Sequence, residues 1–225
     1  MAGSPQSIAR PLAVTVAGAP VVLHPERALE LPGEATVVIA DLHLGKATAL
    51  RAHGIPVPPG VTLDDLTRLD QVLIRTGADQ LVVLGDLVHS RHAWDPRALA
   101  PVLAWRRRWP SLAITLIRGN HDRHGGDPPA ALAIRVVDPP SALAGFALHH
   151  EPPALTEPPW LAGHLHPTLA LGGRGRQRVR LPCFVQRGAS VLLPAFSTFT
   201  GSGAWEPAAT DRAFVIADEV VLPPA

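Results

Sequence analysis

Short apolar runs rich in β-branched residues recur along the chain, each closed off by turn-forming residues. Runs of this length and composition predict strands over Ala13–Ala17, Val21–His24, Thr36–Ala40, Leu81–Leu84, Ala113–Ile117, Ile134–Val137, Phe146–His149, Val191–Leu193 and Phe214–Ala217. Between them lie two stretches with helical spacing. Leu63, Leu66, Leu69, Val72 and Leu73 share one face of a helix expected to begin at Thr62, with Thr62 as N-cap, Asp65 three residues on and Gly77 as the stop. A second helix is expected from Asp95, with Pro96 in its first position, through Leu99, Val102 and Leu103 to just before Pro110. Strands alternating with helices early and strands alone late predict a mixed α/β domain. The proline-rich pieces 56–59, 127–129 and 152–159 read as loops, since core-like strands follow each. A single domain over residues 1–225 is expected.

Composition narrows the class. At 47% hydrophobic and 17% charged residues the chain belongs with globular proteins rather than disordered or fibrous ones. A formal net charge of +1 gives no bulk attraction to a polyanion, so contact with nucleic acid would need a local patch. The single cysteine, Cys183, excludes an intramolecular disulfide and a cysteine-built zinc site, which points to a reducing cytoplasm. Neither a signal-peptide pattern nor a membrane-length apolar segment is visible. Eleven histidines in a chain without tyrosine suggest that imidazole has work to do.

That work is legible where the apolar runs end. Asp41-Leu42-His43 follows the run ending at Ala40, and Gly85-Asp86 follows Leu84. Gly119-Asn120-His121-Asp122 follows the run ending at Ile117-Arg118, His149-His150-Glu151-Pro152 follows Phe146-Ala147-Leu148, and Gly163-His164-Leu165-His166 follows Trp160-Leu161-Ala162. Ligands of open α/β sheets gather beyond the carboxyl ends of strands, and each end here carries Asp, Asn or His, donors suited to borderline divalent metals. The glycines at 85, 119 and 163 are expected to let the backbone turn sharply after each strand. Any one motif alone is more often an ordinary turn. Five in succession argue for a shared metal site.

These residues resemble the signature of the calcineurin-like metallophosphoesterases, all five motifs being intact between Asp41 and Pro167. The resemblance implies a two-sheet β-sandwich flanked by helices, with the metal site at the strand carboxyl ends. It implies two divalent cations bridged by Asp86, the first held by Asp41, His43 and His166, the second by Asn120, His150 and His164. Phosphodiester hydrolysis would then proceed by attack of a metal-bridging hydroxide. His121 would face the substrate as general acid or transition-state donor, with Asp122 orienting it. Mixed nitrogen and oxygen ligands favour manganese, with iron or zinc as alternatives. Of the adjacent pair His149 and His150, only one can point at the metals, and the family pattern selects His150.

Further segments are similar to a narrower group, the ligase-associated DNA damage response endonucleases: residues 40–46, Arg51 with Gly54-Ile55-Pro56, Leu181-Pro182-Cys183-Phe184, and 193–201. That likeness implies a DNA-repair phosphodiesterase working alongside a ligase and helicase-type enzymes. Candidate substrate contacts are His89, Lys46 and Arg51, together with a strip of arginines at 174, 176, 178 and 180 that would share one face if extended. Arg106–Arg108, at a helix end, are expected to offset its dipole. Nothing reads base edges, so no sequence specificity is inferred. Two other readings stand beside this one: a small-molecule or nucleotide phosphodiesterase or phosphatase with the same site, and a non-catalytic scaffold that kept the fold.

Overall fold

The computed structural model describes residues 9–58, 60–153, 159–172, 178–201, 203 and 205–224. Two sheets form the framework. The first takes β1 (Leu12–Val16), β2 (Ala19–His24), β3 (Ala28–Leu31), β4 (Thr36–Ile39), β5 (Gln80–Leu84), β6 (Ala113–Ile117) and β7 (Ile134–Val137) in sequence order, antiparallel up to β4 and parallel from there on. The second runs β15 (Val220–Leu222), β14 (Arg212–Ala217), β12 (Arg178–Arg187), β13 (Ser190–Leu192), β10 (Trp160–Ala162), β9 (Phe146–Leu148) and β8 (Ser141–Leu143), with β11 (Thr168–Gly172) paired to the outer half of β12. The helices are α1 (Lys46–Ala52), α2 (Val61–Thr76), α3 (Pro96–Arg108) and α4 (Asn120–Gly125).

The central strands are mostly apolar, apart from Thr36, Gln80 and Thr115, because both of their faces are covered. Val37, Ile39, Leu81, Val83, Ile114 and Leu116 pack on the side of α2 and α3, against Leu66, Leu69, Leu73, Val102 and Trp105. The alternate positions Val38, Ala40, Val82, Leu84 and Ile117 face the second sheet and meet Phe146, Leu148, Leu161, Phe184, Val191, Leu193 and Phe214. Burial of these alternating side chains, at roughly 25 cal/mol per Å² of apolar surface, holds the two sheets together. A smaller cluster around Trp160, Cys183, Val185, Trp205 and Val215 covers the outer face of the second sheet.

The structure departs from the expected start of α2. The N-cap is Gly60 in a left-handed conformation, so Thr62 lies inside the helix, and Leu63 is exposed rather than in the core. Asp65 is buried instead, held by Arg68 and by the Thr198 backbone N–H at 3.3 Å. At the second helix, Pro96 follows the N-cap Asp95 as expected. Its terminal arginines do more than face the dipole: Arg106 donates to the Leu132 carbonyl at 2.8 Å and Arg108 pairs with Asp70 at 2.6 Å. No helix among the described residues is long and apolar enough to cross a membrane.

Candidate metal centre

All five polar motifs lie beyond strand carboxyl ends, on loops that are laced together. The Asp41 N–H donates to the Gly85 carbonyl at 3.2 Å, His43 to Asp86 at 2.8 Å and Leu44 to Leu87 at 2.8 Å, joining the loops after β4 and β5. The His121 N–H reaches Asp86 Oδ1 at 3.0 Å, and the His164 N–H reaches Asp41 Oδ2 at 2.9 Å, bringing in the loops after β6 and β10. Phe196 and Ser197 close the ring through the carbonyls of Ala40 and Asp41.

Glycine makes this convergence possible, but not mainly by turning. Of Gly85, Gly119 and Gly163, only Gly85 has a left-handed backbone, at φ +74°. Gly119 is extended, and a Cβ there would stand 2.5 Å from the Asp86 nitrogen; at Gly163 it would stand 2.7 Å from Asp41 Oδ2. The expected sharp turns at 119 and 163 are therefore replaced by close approach: the loops touch where no side chain fits. The left-handed positions fall instead on the polar residues themselves, Asp41, His43, Asp86, His164 and His166, with φ of 56°, 48°, 49°, 69° and 42°. Such backbones are unfavourable for non-glycine residues, of order 1 kcal/mol or more each, and collect at functional sites.

Besides the trio His43, His89 and His121, two groups of donors result. Asp41, His43 and His166 form one, with His166 Nε2 3.4 Å from Asp41 Oδ1 and 3.5 Å from His43 Nε2. Asp86, His150 and His164 form the other, joined by Asn120, whose Oδ1 is 2.8 Å from His150 Nε2. Asp86 faces both groups: its Oδ2 lies 3.9 Å from His43 Nε2 and its Oδ1 3.4 Å from His150 Nε2. Of the adjacent pair, His150 is the buried one that joins the cluster, while His149 lines a groove at its edge.

The protons are placed so that lone pairs point inward. His150 Nδ1 donates to the Leu84 carbonyl at 3.0 Å and His166 Nδ1 to the Gly201 carbonyl at 3.3 Å, so in the neutral form of each ring Nε2 carries the lone pair toward the centre. His150 Nε2 thus lies among the oxygens of Asn120 and Asp86 and 3.1 Å from His164 Nδ1, an arrangement that a cation between them would satisfy. Asp41 Oδ1 is buried without a hydrogen bond in the same place. Donors held about 2.1 Å from one cation stand roughly 3.0–3.4 Å apart, close to the separations found here. The donor set thus fits divalent metal ions.

Electrostatics agree. Burial, aided by the neighbouring His166 and Lys46, pushes His43 down to about 2, while burial raises Asp86 to about 6. Burial is also the first cause that holds His89 and His164 below the ordinary histidine value. Imidazoles kept neutral in this way are available as ligands, whereas His166, beside Asp41, is raised above the ordinary histidine value against the opposing effect of burial, so a cation there would have to displace a proton.

The sequence profile of the calcineurin-like phosphoesterases matches residues 35–166, more than half of the chain and all five motifs. The chain belongs to this family. It is a metal-dependent phosphoesterase. Among solved structures it is similar to the crystal structure of Pseudomonas putida nuclease MPE, at 42% identity and a TM-score of 0.83, covering 95% of this chain and 100% of that one. A search of curated proteins finds no match. Membership as a phosphoesterase sets aside the reading as a non-catalytic scaffold.

For two of the expected residues the structure shows partners other than the expected ones. Asp122 does not orient the His121 ring; its carboxylate accepts the N–H groups of Gly119 at 2.8 Å and Val88 at 3.2 Å, fixing the start of α4 to the loop after β5. The His121 ring is held by the His89 carbonyl, at 2.9 Å from Nδ1, and stacks on the His89 ring with centroids 4.8 Å apart. Arg51 donates to the carbonyls of Val57 at 3.2 Å and Pro58 at 2.9 Å, which ties it to the segment after α1. Lys46 opens α1 beside the cluster, half-buried, its amine lowered chiefly by burial while Asp86 opposes the shift. Of the arginine strip, 174 and 176 lie outside the described residues; Arg178 and Arg180 are exposed on β12 two positions apart, on one face as expected.

Sequence reasoning missed Arg27 and the packing role of segment 193–201. Arg27 reaches the carbonyls of Ala195 at 3.2 Å and Ser197 at 2.9 Å, and Arg68 also binds the Phe196 carbonyl. Nothing around Arg27 in the sequence marks it; its left-handed backbone, φ +66°, is visible only in the fold.

Proposed function

We propose that the phosphoesterase binds two divalent cations and hydrolyses phosphodiesters, its substrate being DNA. The observation that carries the reading is the position of Asp86, one carboxylate oxygen toward each donor group. Asp41, His43 and His166 would hold one cation, and Asn120, His150 and His164 the other, with Asp86 shared. Bound cations would supply Lewis acidity at the phosphate and acidify water. Manganese suits this nitrogen and oxygen set first, iron or zinc next.

The protein's own part is positioning and proton control. With Nδ1–H donated to the His89 carbonyl, His121 presents Nε2 to the cluster, 3.9 Å from Asp86 Oδ2. In its imidazolium form that nitrogen carries a proton for the leaving oxygen, which makes His121 the general acid. His89 supports it by stacking and by its carbonyl. The likeness to a nuclease over nearly the whole chain supports a polynucleotide substrate. Resemblance of residues 40–46, 181–184 and 193–201 to the ligase-associated endonucleases supports a place in DNA repair beside a ligase and a helicase. A cytoplasmic location rests on the lone, buried Cys183.

The test compares a nitrophenyl diester with the corresponding monoester, then single-stranded and nicked DNA, with Mn²⁺ present. Preference for the diester together with DNA cleavage is expected. Diester turnover without DNA cleavage would favour a small-molecule or nucleotide diesterase.

A further inference from the structure

Beside His166 the surface opens into a groove of about 290 Å³, lined by Arg180, Thr168, Thr198, Thr200 and Arg27 among others, and no carboxylate is among its lining residues. His166 is at once a wall of this groove and a member of the Asp41/His43 donor group. A chain whose phosphate sits at the cluster therefore passes directly into it. Arg180 is exposed on β12 opposite Ala170 and, among the described residues, has no acidic partner.

The groove on the opposite side, beyond Asn120 and His150, has a similar volume of about 270 Å³ and the opposite electrostatics. Its arginines are already neutralised: Arg118 pairs with Asp127 at 2.5 Å and Asp138 at 3.4 Å, and Arg123 with Asp138 at 3.4 Å. Glu151 adds a further negative charge to that wall. Among the described residues, an anionic strand leaving the centre past His166 thus meets Arg180 without an acidic partner, whereas past Asn120 it meets arginines already paired with Asp127 and Asp138.

We propose that the groove beside His166 is a second phosphate subsite, in which Arg180 and the Thr198 hydroxyl bind the phosphate next to the scissile one on a single polynucleotide strand. This deepens the phosphodiesterase reading and rests on it. The guanidinium fork suits a phosphate's paired oxygens. Thr198 rides on a segment fixed from three directions, by Arg27 at the carbonyls of Ala195 and Ser197, by Arg68 at that of Phe196, and by Ser197 N–H on the Asp41 carbonyl at 3.3 Å. The Thr200 hydroxyl donates to the Ser197 carbonyl at 3.1 Å and supports that segment. The subsite is therefore set rigidly relative to the metal donors, and engagement of the strand is one-sided.

The experiment measures Arg180→Ala, Arg180→Lys and Thr198→Ala on a nitrophenyl diester, which has one phosphate, and on a single-stranded oligonucleotide. Binding of a labelled oligonucleotide is followed in parallel by anisotropy across a salt series. For Arg180→Ala the rise in KM on the oligonucleotide should exceed that on the diester by about tenfold. Loss of one phosphate contact should also make the slope of log affinity against log salt shallower by about 0.7. Arg180→Lys should restore the salt slope while recovering only part of the affinity, and Thr198→Ala should raise the oligonucleotide KM by a smaller factor. Equal losses on both substrates, or an unchanged oligonucleotide KM and salt slope in Arg180→Ala, would overturn the subsite alone. A parent protein that turns over the diester but neither binds nor cuts a polynucleotide would overturn the DNA reading first, and the subsite with it.

Discussion

Gly119→Ala tests whether the centre depends on loops packed too closely for side chains. Gly119 is extended, so alanine meets no backbone penalty and the cost lies in one contact. The new methyl would stand 2.5 Å from the Asp86 nitrogen and crowd its Oδ1 as well. To reach ordinary contact the two loops must separate by about 1 Å. Overpacking of this kind costs about 1–3 kcal/mol, which for a chain of this size lowers Tm by roughly 2–12 °C. The functional loss should be larger, because the carboxylate that moves is the one shared between both donor groups. A displacement near 1 Å at a reacting centre lowers turnover by about 10²-fold. Thermal unfolding, metal content by mass spectrometry and diester turnover separate these effects. Gly172→Ala is the control, since a Cβ there meets nothing within 4 Å. Full metal content and parental turnover in Gly119→Ala would refute the idea that these loops are held at contact distance.

Asp86→Ala should remove metal and activity together, as read by metal content and diester turnover. His121→Ala should retain nearly all its metal while losing about 10²-fold or more in turnover; unchanged turnover would take His121 out of the mechanism. Asp122→Ala should cost about 1–3 kcal/mol, because the Gly119 and Val88 N–H groups lose their acceptor, and should lower turnover through displacement of Asn120 and His121; denaturant unfolding alongside kinetics reads both. His24, far from the five motifs in sequence, is held below the ordinary histidine value chiefly by burial, although Glu30 at 2.8 Å pulls the other way. Its unfolded form takes up a proton first, so its contribution to stability is full above about pH 6.5 and shrinks as pH falls below that. His24→Gln should flatten the loss of stability between pH 7.5 and 5 at fixed metal concentration (~6.5 being the unfolded value); an identical slope would exclude it.

The sequence made the centre legible as a set of residues because metal chemistry allows few side-chain types, and those types recur at strand ends. It made β4, β5 and β6 legible because strands buried on both faces are apolar at most positions, with one polar residue in each here. Other elements had no such mark. The outer half of β12 carries Arg178, Arg180 and Pro182 and is exposed, so it reads as a polar hairpin although it pairs with β11 throughout. α1 starts at a left-handed Gly45 without a side-chain cap and has only seven residues, too few to establish a period. Strand β3 follows directly on the turn at Arg27, and its four residues give no alternation to read. The roles of Asp122 and Arg51 depended on partners contributed by Val88, Val57 and Pro58, whose backbone groups carry no sequence signature.

Local preference and site geometry oppose each other here, and the opposition itself argues for the cations. Asp41, His43, Asp86, His164 and His166 all hold left-handed backbones, uncommon for non-glycine residues although Asp and His enter them more readily than most. Burial lifts Asp86 to about 6, against the charge a bridging carboxylate needs, and drives His43 to about 2, so that no proton readily settles on its ring. Asp41 Oδ1 is enclosed without a donor. A proton on His43 would be resisted by that desolvation and by the neighbouring His166 and Lys46; one on His166, raised by Asp41 at 3.4 Å, would relieve Asp41 alone and leave the oxygens of Asp86 and Asn120 facing His150. A divalent charge relieves the oxygens and the imidazole lone pairs at once. Cation binding should therefore stabilise the fold as well as enable the chemistry, with unfolding temperature rising with metal concentration as mass action requires. A fold indifferent to added divalent metal would mean that the strain is balanced elsewhere in the loops.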